Sequence, residues 1–131
     1  MIARRTSLRE KIYSLALQVE SLTAQNFAFK EMPQDTTGTY GVFSEINNQY
    51  AGRTTMSKFE ESHVQFAFYG ENQKELETLA KNIRSKFDDA ESSFTLSDYY
   101  VLRIDWTLTR DVQLEDVKQI VIQYKFSLQQ K

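Results

Sequence analysis

The chain has 131 residues, the length of one domain, and a formal net charge of −2. It contains no Cys and one His, which excludes a disulfide framework, a thiolate metal site, a Cys nucleophile and a multi-histidine metal centre within one chain. Hydrophobic residues make up 40% and charged residues 26%, the balance of an ordered globular domain without the basic excess of a nucleic-acid reader.

In chain order, residues 7–22 predict an amphipathic helix, because Leu8, Ile12, Leu15, Val19 and Leu22 recur at spacings of four and three. Ser7 with Glu10 reads as a capping box at its start. Residues 26–32 alternate weakly around Phe27 and Phe29 before Pro33 and a turn-rich stretch to Thr39. Tyr40–Ile46 predicts a strand with Tyr40, Val42 and Ile46 on one side. Ser62–Tyr69 predicts another with Val64, Phe66 and Phe68 inward. Asn47–Glu61 between them reads as a long loop of the kind that carries function.

A second helix is predicted over 72–87, with Leu76, Leu79, Ala80, Ile83 and Phe87 as its apolar stripe and Asn72 and Glu75 at its start. An acidic, Ser-rich connection follows, from Asp88 to Asp98. Tyr100, Leu102, Ile104, Trp106 and Leu108, expected on the apolar core side, then alternate with Val101, Arg103, Asp105, Thr107 and Thr109. After a loop over 110–119, Ile120, Ile122, Tyr124, Phe126 and Leu128 repeat the pattern. The order helix-strand-strand-helix-strand-strand predicts one α+β domain over 1–131: a mostly antiparallel sheet with both helices on one face.

The residues offer little for catalysis. His63 has Glu61 in phase beside it, but a nucleophilic site also needs a placed Ser or Thr and an oxyanion site. The acidic pairs Glu60–Glu61, Asp88–Asp89 and Glu115–Asp116 read as solvated or capping. The four glycines do not form a phosphate loop, and the acids do not space as a calcium loop. We expect no enzyme activity, no cofactor and no metal. Contact residues are the better prospect. In the long loop Tyr50, Arg53, Met56, Lys58 and Phe59 are types enriched at protein interfaces, or else a hairpin tip with a few side chains tucked back. Phe43, Tyr69, Val101 and Val121 interrupt the polar, outward side of the strands. Charge is uneven: residues 1–30 carry a basic excess and residues 71–100 an acidic one, a polarity suited to head-to-tail contact.

The stretch TYGVFSEI, the polar loop after it and ESHVQFAFYGENQKELETLAKNIRSKF together resemble the tail terminator and tail-to-head joining proteins of long-tailed bacteriophages. RIDWTLTRDVQ and QIVIQYKFSL stand where that family's last two strands belong, so the resemblance spans roughly residues 7–129. It implies a structural virion protein that assembles as a ring, commonly a hexamer, on the head-proximal end of the tail tube. The implied partners are copies of itself, the tube protein and a head-side neck protein, with DNA passing through the lumen unread. The expected place is the virion neck, after assembly in the host cytoplasm, with no targeting segment and no membrane contact. Alternatives are a head-side connector or minor tail ring, a monomeric α+β adaptor that takes a peptide along a sheet edge, and a small hydrolase using His63 with Glu61.

Overall fold

The computed structural model describes residues 2–19, 22–30, 38–53, 58–113 and 117–131, with the backbone alone for 2–6 and 47–53. The elements are α1 (Ile2–Ala16), β1 (Phe27–Phe29), β2 (Tyr40–Arg53), β3 (Lys58–Gly70), α2 (Gln73–Phe87), a 3-10 turn (Glu91–Ser93), β4 (Tyr99–Gln113) and β5 (Lys118–Gln130). They form one five-stranded sheet in the order β1-β2-β3-β5-β4. Every pairing is antiparallel except that of β1 with β2. The α+β class and the helix-covered face follow the sequence expectation.

Leu8, Ile12 and Leu15 are buried on α1, as are Leu76, Leu79, Ile83 and Phe87 on α2. Val19 and Leu22 are buried too, but the helix predicted to reach Leu22 ends at Ala16, and they lie beyond it. The start of α1 differs, however: the helix begins at Ile2, which puts Ser7 inside it rather than at a capping box. For α2 the cap is real, with the Asn72 side chain accepting from the N–H groups of Lys74 and Glu75. The weak alternation at Phe27 and Phe29 is a short strand, paired in parallel with Gly41–Phe43.

Aromatic rings form the centre of the core. Phe27 and Phe43 stack with centroids 5.4 Å apart, and Phe66 reaches Phe87 at 5.0 Å. α1 covers β1 and β2 through Tyr13, which stacks on Phe27 and Phe43, while α2 covers β3 and β5. Gly41 is required here: a Cβ on it would lie 2.6 Å from Cε1 of Phe68.

Three expectations about facing are overturned, and irregular pairing or reversed phase explains each. Phe43 pairs with Phe66 and is 1% exposed, so it is a core residue and not an outward contact. Tyr40 and Val42 take the other face instead. Ile46 sits at a bulge between Glu45 and Asn47 and is exposed. In β4, bulges at Leu102 and Thr107 reset the phase. Tyr99, Val101, Ile104 and Trp106 therefore fall on the helix side, opposite Gln130, Leu128, Phe126 and Tyr124. Tyr100 and Leu102, expected in the core, are 54% and 45% exposed, and Trp106 is 45% exposed at the core's margin.

Candidate interaction surface

The segment expected as a long loop is mostly hairpin. β2 runs to Arg53 and β3 starts at Lys58, with cross-strand pairs as far as Arg53 with Lys58. Tyr50 and Arg53 thus lie on a strand, and Met56 lies outside the described residues. Lys58 is exposed at the base of the tip and Phe59 is half-buried beside it. Tyr50, Arg53, Lys58 and Phe59 share one hairpin. Tyr69 lies at the other end of β3, where it stacks on Tyr40 at 5.0 Å and its hydroxyl accepts from Gln119 at 2.9 Å.

Among the described residues no helix packs on the second face of the sheet. That face is polar, and several of its side chains bond one another. Gln123 donates to Gln65 at 3.0 Å, Lys125 pairs with Glu61 at 3.8 Å, and Arg103 pairs with Asp105 at 3.0 Å. Val121 and Ala67, paired across β3 and β5, are buried there among longer neighbours. His63 is on this face opposite Lys125, and its Nε2 is buried without a hydrogen-bond partner. The Glu61 expected to orient it is turned to Lys125, and Ser62 lies on the helix side, where its hydroxyl donates to Glu45. No group of three His, Cys, Asp or Glu among the described residues is placed to hold a metal ion. No helix among them is long and apolar enough to cross a membrane.

Residue patterning did not single out the corner around Trp106. There the Arg84 guanidinium lies 4.1 Å from the ring centroid, and Nε1 of Trp106 donates to Thr109 at 2.7 Å. Arg84 is held by Asp88 at 2.8 Å, and Asp88 accepts the Tyr124 hydroxyl at 2.8 Å. The hydrogen bond to Asp88 raises the Arg84 pKa. Burial, reinforced by the same carboxylate, raises that of the Tyr124 phenol. A depression of about 460 Å³ opens beside Trp106, Arg84 and Ala80. A second groove, of about 410 Å³, lies between α1 and β1, with Tyr13 and Phe29 among its walls.

The two sheet margins are covered unevenly. Along β4, Glu91 accepts the Ile104 N–H at 2.9 Å and Thr95 bridges Tyr100, so the segment before β4 covers its first half. Along β2, β1 covers only Gly41–Phe43. Among the described residues β5 is the one strand that pairs with β4, and β1 pairs with β2 only at Gly41–Phe43.

No family model and no curated protein sequence matches the chain. A solved structure does. A chain from the virion of a native gene transfer agent particle superposes with a TM-score of 0.75, at 11% identity, over 98% of this chain and 99% of that one. The two share a fold. The match takes in both helices, the sheet and the hairpin, so the architecture described above is that of a known virion component from end to end.

Proposed function

We propose that the chain is a structural virion protein of a long-tailed phage. It forms a ring, a hexamer as the resembled family commonly does, that caps the head-proximal end of the tail tube and joins tail to head. The observation that carries this reading is the end-to-end likeness to a chain of a gene transfer agent virion. The sequence resemblance to phage neck proteins points to the same class of particle by a separate route. Three features of the molecule support it. The helix-free face is charge-paired and amide-rich, which suits a wall past which DNA moves without being held. The basic N-terminal third and the acidic 71–100 region give each copy two unlike ends, as a closed ring of heterologous contacts requires. The β2–β3 hairpin carries Tyr50, Arg53, Lys58 and Phe59 and offers contact to the tube or to a neighbouring copy.

Electron microscopy of purified tails incubated with the protein tests the reading. One ring at the head-proximal end of each tail is expected, and replacing Tyr50, Arg53 and Phe59 together by Ala is expected to reduce tail capping. A protein that stays monomeric at high concentration and leaves the tail ends bare would instead fit the peptide-binding adaptor.

A further inference from the structure

Contact surfaces draw most of their strength from a few aromatic and arginine side chains, and more of it when those side chains are fixed before the partner arrives. The corner at Trp106 has that form. The indole is 45% exposed, yet its N–H is committed to Thr109 and the Arg84 guanidinium lies on its face. Arg84 is itself held by Asp88, whose carboxylate also accepts the Tyr124 hydroxyl. A run of four side chains thus leads from the dry core to an exposed ring. Covering that ring costs little further freedom.

A complement lies on the other flank of the same helix layer. The groove between α1 and β1, of about 410 Å³, is walled largely by rings: Tyr13, Phe27, Phe29 and Phe43. A flat indole packs well against such walls.

We propose that Trp106 of one copy docks in the α1–β1 groove of the next. The inference rests on the ring reading and names two unlike patches that such a ring brings together. The contact lies in the helix layer and needs no pairing of strands.

Position is right for it. β4 and β1 are the outer strands of the sheet, and corner and groove are both on its helix side. One copy therefore carries anchor and groove on opposite flanks, as a heterologous contact requires. Height is right as well. Trp106 pairs with Tyr124, Tyr124 with Val64 and Val64 with Glu45. Glu45 binds Arg9, a residue of the groove, and Phe43 of the groove is two residues away on β2. Anchor and groove are thus nearly level across the sheet. Copies related by rotation alone, about an axis along the strands, keep that level.

Charge agrees. Of the charged residues that line the two patches, Arg84 and Asp88 pair with each other, and Arg9 pairs with Glu45. Lys81 at the corner and Glu10 at the groove are exposed and have no ion-pair partner among the described residues. They are opposite in sign and both stand on helices, so docking sets one against the other. Lys30, over Phe29, and Asp89, next to Asp88, repeat the complement at the rim.

Electron microscopy of purified tails mixed with each variant, read beside melting curves, tests the docking. Trp106→Ala is expected to lower the fraction of ring-capped tails roughly tenfold, the scale of one lost anchor, while Trp106→Phe keeps most of it. Lys81→Glu and Glu10→Lys alter exposed side chains. Each is expected to melt within a few degrees of the wild type and to cap fewer tails, and the double variant Lys81→Glu/Glu10→Lys is expected to recover capping. Should Trp106→Ala melt early, the charge-reversal set decides alone. Capping by a folded Trp106→Ala at the wild-type level, or a double variant no better than the singles, overturns the docking and leaves the ring standing. Trp106→Ala rings that form but do not stay on tails assign the corner to the tube protein and overturn the docking too. Wild-type protein that forms no ring on tails overturns both.

Discussion

On the helix side of the sheet, Phe27, Phe43, Phe66 and Phe68 stack into a dry aromatic layer. On the other side, strands β3 and β5 present Gln65, Gln123, Lys125 and Glu61, bonded to one another. Both faces come from one period-2 pattern, yet they differ in what fixes them. The dry face is fixed by shape, since each ring touches several others and no polar group competes. The wet face is fixed by partners that water can replace, so each bond there is worth little. One face specifies the fold, and the other is left free to vary with what it meets.

The comparison is broken most directly at Phe66. This ring contacts Phe27, Phe43, Phe68, Phe87 and Tyr124, and Phe66→Ala is expected to cost about 3–5 kcal/mol in denaturant unfolding. Gly41→Ala probes the same layer by overfilling it. The added methyl meets Phe68, and a loss of about 1–3 kcal/mol by the same measurement is expected.

Tyr124→Phe sharpens the boundary between core and polar margin, because its hydroxyl serves Asp88 at the edge of the dry layer. A loss of about 1 kcal/mol near neutral pH is expected. The sign of its pH dependence follows from the raised pKa. The folded chain holds the phenol neutral, while the unfolded chain ionises it near ~10. Stability from this group is therefore complete below that pH and is lost as pH rises beyond it. Melting curves between neutral and alkaline pH should fall more steeply for the wild type than for Tyr124→Phe. The smallest effect is expected at Gln123→Ala on the wet face, within about 0.5 kcal/mol.

Much of this was legible in the residues. The stripe of α2, that of α1 as far as Leu15, the inward set of β3 and the whole of β5 follow simple periods, because nothing interrupts them; the burial of Val19 and Leu22 was legible, but the end of α1 at Ala16 was not. β4 did not yield to the same reading, although its alternation is the cleanest in the chain. Its bulges at Leu102 and Thr107 are set by pairing with β5, not by anything local, and each flips the residues beyond it. Phe43 was misplaced for a related reason: β2 has strand parity on either setting, and only its register with Phe66 decides which side is buried. The hairpin was read as a loop because Asn, Gln and Gly over 47–52 are poor strand formers, and the pairing with β3 overrides that preference. Of the contact candidates, Tyr50, Arg53, Lys58 and Phe59 fall on one hairpin and Phe43 leaves the set. Trp106 was misplaced in the core. Its Arg84 neighbour comes from a different element, so no sequence period joins them.

The bulge at Thr107 has one more consequence. A bulge is a residue that the ladder does not count. Trp106 pairs with Tyr124 and Leu108 with Gln123, so Thr107 is held out, its hydroxyl donating to the Gln123 carbonyl at 3.0 Å. Excising it would leave every pair on both sides intact and straighten the strand. β4 thus contains a spare link, a place where the gene can shorten by one codon without reframing the sheet.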